Sequence, residues 1–286
     1  MSPTLPSKSA RLALLLLVIS APPAAPAQSP AANAAPKVDV KVSEAATAAA
    51  DERAESVVRR AVEAMGGPAY LAVRSVVGRG NYTPYDKGQP GDIVSFLDYL
   101  VFPDRERTEF RSRGVRSIQT NVGTGAGAKG WMYDGMTKSL QDMKPEQIED
   151  FRVAMRTNLD NLLRGWWREG GAKLSYLGRR EAGVARRNEA VRLEYPDGFP
   201  VDYEFGARDF LPAKVAYKRA DKEGKLQAEE DRFPRHMSFG GVTVPYVIDH
   251  FRAGLQTSRI NFDTVEFNRP VADALFARPA SAKEIK

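Results

Sequence analysis

From Ser75 onward the chain alternates apolar and polar residues between turn signals, the period of a sheet with one buried face and one wetted face. This alternation predicts strands over residues 75–82, 92–102, 105–113, 116–122 and 129–133. After an interruption it resumes over 172–180, 188–195, 200–207, 212–219, 226–233, 235–239, 243–252 and 256–267. Within single segments Val191, Leu193 and Tyr195 share a face, as do Val201, Tyr203 and Phe205, and so do Ile260 and Phe262. The turn sequences Tyr195-Pro196-Asp197-Gly198 and Asp221-Lys222-Glu223-Gly224 place antiparallel neighbours side by side. No strand-helix-strand repeat of a parallel sheet is present, so the expected class is α+β, mainly antiparallel, and such a one-sided sheet must cover something apolar.

Two stretches change period. Ala54, Val57, Val58, Ala61, Val62 and Met65 fall at helical spacing, and Gly66-Gly67-Pro68 stops that helix. One further turn over 68–73 would pack Tyr70 and Leu71 below it. Pro145 opens a second helix whose stripe runs Ile148, Phe151, Met155, Leu159, Leu162, Leu163, Trp166 and Trp167 until Gly170-Gly171. Its other face is charged, with Glu146, Glu149, Asp150, Arg152, Arg156 and Asp160. Such a stripe is first of all core, but a helix laid over the mouth of a curved sheet packs a core and lines a cavity together. Adjacent helical positions diverge by about 100°, so the stripe leaves open whether Trp166 and Trp167 both face inward. A short turn over 272–276 ends the fold.

The N-terminus has the pattern of an export signal: Lys8 and Arg11, an apolar run over 12–19 too short to span a bilayer, then Ala25-Pro26-Ala27. The expected layout is a signal peptide at 1–27, a disordered Ala/Pro/Gln-rich leader at 28–41, one domain at 42–280 and a tail at 281–286, in a periplasmic or secreted protein. The chain has no Cys, which removes a lipoprotein acylation site, disulfides, thiolate nucleophiles and Cys-ligated metals together. Net charge is +6, and loss of Lys8 and Arg11 lowers it to about +4. The arginines at 105–116 and 179–187 are interleaved with acids, which reads as solvated strand faces rather than a nucleic-acid footprint. Transient contact with an anionic membrane surface is compatible with that charge.

Candidate chemistry is thin. The glycine-rich Gly123-Thr124-Gly125-Ala126-Gly127 lacks the Lys-Ser/Thr of a phosphate loop and no helix follows it, so it reads as a hairpin loop. His236 and His250 are the only histidines, and Asp249 beside His250 points to the opposite strand face, so no metal site and no cofactor are expected. A hydrolase would need one of these histidines to meet a carboxylate and a hydroxyl, and no G-x-S-x-G elbow is present. Glu229, Glu230 and Asp231 read as a solvated charge run.

At both ends the residues become more specific. Ala61-Val62-Glu63-Ala64-Met65-Gly66-Gly67 with Leu71, Val73, Ser75 and Gly80, then Leu211-Pro212-Ala213-Lys214-Val215, Phe239-Gly240-Gly241-Val242-Thr243-Val244-Pro245 and Val265-Glu266-Phe267-Asn268-Arg269-Pro270 with Phe276 and Pro279, resemble exported bacterial proteins related to outer-membrane lipoprotein-sorting carriers (the LolA/LolB-like fold). That resemblance implies an incomplete, half-open antiparallel barrel covered by helices, whose concave side holds acyl chains. No residue matches the carriers' cargo-gripping positions individually, and fold does not settle cargo. The expectation is a monomeric, non-catalytic binding protein for a lipid, acyl chain or acylated protein. Its expected lining is Phe96, Phe151, Met155, Leu159, Leu162, Trp166, Tyr203, Phe205, Tyr217, Tyr246, Ile248, Ile260 and Phe262. The alternative is an envelope interaction protein whose barrel is filled by its own side chains.

Overall fold

Period-two segments become one antiparallel sheet because each strand has one apolar face to hide. The structure, a computed structural model, describes residues 44–221 and 223–285, with only the backbone of 44–50. The signal and leader expectations over 1–41 lie outside the described residues. The fourteen strands are β1 (Ser75–Asp86), β2 (Gln89–Pro90), β3 (Val94–Val101), β4 (Arg105–Ser112), β5 (Val115–Val122), β6 (Lys129–Asp134), β7 (Ser139–Asp142), β8 (Lys173–Glu181), β9 (Arg187–Glu194), β10 (Pro200–Gly206), β11 (Pro212–Ala220), β12 (Leu226–Phe239), β13 (Val242–Arg252) and β14 (Leu255–Phe267). Their order across the sheet is β7-β6-β5-β4-β3-β1-β14-β13-β12-β11-β10-β9-β8, with β2 hairpinned onto β1. First and last long strands therefore meet in the middle, with Val76 opposite Phe267 and Pro84 opposite Ser258. The edges β7 and β8 do not pair with each other, which leaves a half-open barrel.

Three departures from the sequence expectation have simple causes. Strands β2 and β7 were not expected, because they are short and mostly exposed and so carry no apolar period. Residues 226–233 and 235–239 form one strand, β12, with register shifts on both sides of Arg235. Pro234 has no N–H for the ladder, so the strand bulges there instead of ending.

The helical insertion after β7 is also broken where one helix was expected. It comprises α3 (Pro145–Thr157), α4 (Leu159–Leu163) and a 3-10 turn at Trp166–Arg168. Asn158 takes an extended backbone, and its side chain accepts the Asp160 N–H to start α4. The Arg156 carbonyl freed by the break is met by Asn161, Tyr195 and Tyr203, at 2.8, 3.0 and 3.3 Å. The two tryptophans, side by side in the 3-10 turn, diverge: Trp167 is buried while Trp166 stays half-buried against Phe102.

Helices α1 (Glu44–Ala64) and α2 (Pro68–Leu71) join α4 on one face of the sheet. There Ala54, Val57, Ala61, Met65, Leu162 and Trp167 form a closed core with Leu193, Val201, Tyr203, Phe205 and Val215 of β9–β11. The outer face is covered only locally, by the segment after β14. The Trp131 indole donates to the Phe276 carbonyl at 3.0 Å, and Arg107 donates to that of Leu275 at 2.9 Å. Arg107 was expected on a solvated face, but it is buried there with Glu109, which Arg116 also grips.

Candidate ligand-binding face

Cross-strand register decides which side chains share the helix-covered inner face. Val201 faces Tyr217, Ile248 faces Ile260, Phe262 faces Gly80, and Gly80 faces Phe96. With Tyr203, Phe205 and Tyr246 at even spacing on the same strands, all eight strand-borne candidates lie on this face. The two halves of the face nonetheless differ. Leu162, Tyr203 and Phe205 have no exposed surface and fill the closed core under α1 and α4, so they are withdrawn as lining residues. The β1, β3, β13 and β14 half is looser: Tyr82, Leu100, Tyr246, Ile248, Ile260 and Phe262 all remain half-buried. Phe96 is buried and meets Phe262 edge-on, with ring centroids 5.3 Å apart.

Helix α3 straps across this half. Gln147 reaches the Met132 sulfur on β6, and Arg152 donates to the carbonyls of Thr124 and Gly125 in the β5–β6 loop. Toward the other wing, Asp150 pairs with Arg219 of β11, and Arg156 grips Asp197 of the β9–β10 turn with two bonds of 2.9 Å. The strap thus ties both wings of the half-barrel, and the glycine-rich loop serves as an anchor for Arg152. Phe151 on it is buried, whereas Met155 and, on α4, Leu159 are half-buried like Trp166 and Tyr217.

The inner face also carries polar groups that only strand pairing could reveal. Asp231 lies opposite His250, which lies opposite Ser258. His250 Nδ1 and Asp231 Oδ1 are 2.5 Å apart, and the register puts this histidine on the inner face of the sheet, where its side chain is 34 % exposed. Burial opposes its charge, but Asp231 outweighs burial and raises its pKa. Its nearest acid, Asp231, pairs with it across the strands, and Ser258 is hydrogen-bonded to Tyr82. Glu229 is likewise no solvated charge: it is buried and bonded by Arg252 at 2.8 Å and by Tyr217. His236 sits beyond the bulge in a cleft of about 330 Å³ with Leu211, Met237 and Thr243, its pKa lowered by burial.

On β3 and β4, Asp98 and Glu106 share the inner face as diagonal neighbours, through the pairs Asp98–Thr108 and Leu100–Glu106. Burial pushes the Asp98 carboxyl up to about 6, and burial with repulsion from Asp98 pushes Glu106 to about 8. Folding holds these protons, whereas the unfolded chain releases that of Glu106 near its ordinary value of 4.5. Stability from Glu106 is therefore fully present below about 4.5 and declines as pH rises toward about 8. The raised His250 acts in the same direction, so a difference between proteins is the cleaner measure. Glu106→Gln should leave stability at pH 5 little changed and raise it at pH 8 by about 2 kcal/mol, after discount for partial exposure. Urea unfolding of both proteins at the two pH values checks this; equal shifts at both would show that Glu106 is not held neutral.

An open cleft of about 400 Å³ lies on the far side of the helix layer, lined by Val58, Val62, Leu71 and Leu163 with Glu55, Arg59 and Glu63. It does not reach the sheet's inner face. Among the described residues no helix is long and apolar enough to cross a membrane, and no cluster of three or more His, Cys, Asp or Glu could hold a metal.

A half-open antiparallel sheet roofed by helices, with its first and last long strands paired at its centre, defines an incomplete antiparallel barrel. Solved structures similar to this chain carry the same fold. A DUF1329 family protein from Desulfovibrio piger is 13 % identical with a TM-score of 0.57, over 80 % of this chain and 97 % of that one. A protein described as an outer membrane lipoprotein-sorting protein domain from Vibrio parahaemolyticus is 12 % identical, and a LolA superfamily protein from Nitrosomonas europaea is 14 % identical. Each has a TM-score of 0.52 over 78 % of this chain and 97 % of its own. No protein-family model and no curated protein matches the sequence.

Proposed function

We propose that this is an exported, non-catalytic binding protein that holds an apolar chain, of a lipid or an acylated protein, on the inner face beneath α3. The observation that carries this reading is the contrast between the two halves of one sheet face. Under α1 and α4 the apolar residues are sealed, whereas beside them Tyr246, Ile248, Ile260 and Phe262 keep part of their surface open. An apolar surface left open inside a roofed concavity is a place for an apolar guest. Phe96, Phe151, Met155, Leu159, Trp166 and Tyr217 complete the lining in this reading. The fold shared with a lipoprotein-sorting domain supports the same mode of use. Each methylene removed from water contributes about 0.8 kcal/mol, so a palmitoyl chain offsets an association cost of about 4–15 kcal/mol.

Native mass spectrometry of protein purified from its own envelope should show bound lipid, and palmitate or a lipopeptide should change tryptophan emission through half-buried Trp166. Phe262→Ala should weaken palmitate binding about ten-fold at a stability cost of about 1–2 kcal/mol, less than the 3–5 kcal/mol of a fully buried ring. Loss of stability with no change in uptake would support the self-filled barrel instead. Absence of lipid and of any fluorescence response would remove the carrier reading.

A further inference from the structure

Nearly every strongly buried carboxylate on this sheet is answered by a cation from the chain itself. Glu189 meets Arg53 and Arg179, Glu204 meets Arg180 and Lys214, Glu109 meets Arg107 and Arg116, Glu229 meets Arg252, and Asp249 meets Arg259. The half-buried inner-face carboxyls Asp98 and Glu106 have no such cation among the described residues. Asp98 accepts only the Thr108 hydroxyl, at 2.7 Å, and a backbone N–H, while the Glu106 carboxyl has no hydrogen bond or ion pair among the described residues.

An independent observation lies beside them. Asn121 is directly opposite Glu106 on β5 and so on the same face; it is 9 % exposed, and its buried Oδ1 has no hydrogen-bond partner. A buried amide carbonyl without a donor costs about 1–3 kcal/mol, so it is expected to have one in the working state. Next to the cluster, the Phe262 ring lies over Gly78, the residue opposite Asp98: a Cβ at Gly78 would come within 2.7 Å of it. Three oxygen-bearing acceptor groups beside an aromatic ring, with no cation of their own, match an ammonium group, which donates up to three N–H bonds and is attracted to ring faces.

We infer that Asp98, Glu106 and Asn121 form a subsite for the protonated primary amine of an amphiphile whose alkyl or acyl chain lies along the neighbouring apolar face. This rests on the apolar-guest reading above and names the head group of the guest. The raised carboxyl pKa values add a consequence: an arriving ammonium favours the ionised carboxylates, so binding near neutral pH releases protons.

Three probes of equal chain length separate the two claims: dodecylammonium, dodecan-1-ol and laurate, each titrated by calorimetry at pH 7 in two buffers of different ionisation heat. The wild-type protein should bind the ammonium about ten-fold or more tightly than the alcohol, and laurate more weakly still. Proton release should accompany the ammonium alone. Asp98→Asn with Glu106→Gln should bring the ammonium down to the affinity of the alcohol and abolish the proton release. Equal wild-type affinity for ammonium and alcohol, or tighter laurate, would overturn the amine subsite while leaving the apolar-guest reading in place. Binding of none of the three would overturn both. The wild-type comparison is decisive by itself should the double variant not fold.

Discussion

Arg164→Ala, at the C-cap of α4, should cost about 3–5 kcal/mol of stability. Its side chain is 6 % exposed. Nε donates to Asp160 Oδ1 at 2.6 Å, and the two Nη atoms donate to the carbonyls of Val73 at 3.1 Å and Tyr70 at 3.0 Å, with Leu71 at 3.4 Å. These carbonyls lie at the end of α2 and just beyond it; Tyr70 also takes the Val73 N–H at 3.2 Å, and the guanidinium adds a second donor there and caps the Leu71 and Val73 carbonyls. The plane also lies over Phe102 and Tyr70, with 4.2 and 4.6 Å to their centroids. Removing it strands Asp160, which then keeps only the Tyr70 hydroxyl and the N-terminus of its own short helix. Arg164→Lys retains the charge but not the fork, so roughly half the loss should remain. Arg164→Ala combined with Asp160→Asn should recover part of it, because no carboxylate is then left unpaired. Urea unfolding of the three variants checks this, and a loss below about 1 kcal/mol for Arg164→Ala would show that the carbonyls find water instead.

That arginine also illustrates what the linear pattern can carry. Period two assigns a residue to a face without knowledge of its neighbours, and so the strand-borne lining candidates fall together on the inner face. Period 3.6 continued through Leu159 and Leu162 and concealed the break at Asn158, because an apolar stripe survives a change of helix axis when both pieces cover the same sheet. Asn158 followed by Asp160 was the legible sign, an N-cap residue ahead of an acidic first turn. Polar groups of the inner face could not be read in this way. Asp98 meets Glu106 only after a hairpin sets the register, and His250 meets Asp231 across nineteen residues. An acid in an alternating strand reads as solvated until the strand's other acids are seen on the opposite face.

The split of the inner face follows from where the helices fall. Helices α1 and α4 seal β8–β11, while α3 reaches across the remaining strands by polar contacts spread along its length. A strap held by ion pairs and loop carbonyls at the rim buries less apolar surface than a packed helix. It therefore covers the loose half without filling it, and the unanswered carboxyls Asp98 and Glu106 lie in that half.

Gly66→Ala should destabilise the fold by about 3 kcal/mol or more, whereas Gly67→Ala one residue later should cost only about 1 kcal/mol. Both glycines end α1 with positive φ, 119° and 58°, but their surroundings differ. A Cβ on Gly66 would stand 2.5 Å from the Gly241 carbonyl oxygen and 3.2 Å from the Val242 Cα, both backbone atoms that cannot turn aside. A Cβ on Gly67 meets nothing within 4 Å, so only its left-handed conformation is penalised. The close approach lets the Thr243 N–H reach the Met65 carbonyl at 2.9 Å, which fastens the turn between β12 and β13 to the end of α1. Two distant sequence motifs are thus the two sides of one contact: Gly66 needs glycine for the close approach, whereas Gly240 and Gly241 need it for their positive φ of 56° and 83°. Chemical denaturation of both variants is the test. Equal losses would mean that backbone conformation alone sets the cost, and the contact between the helix end and the hairpin would then carry none of the stability assigned to it.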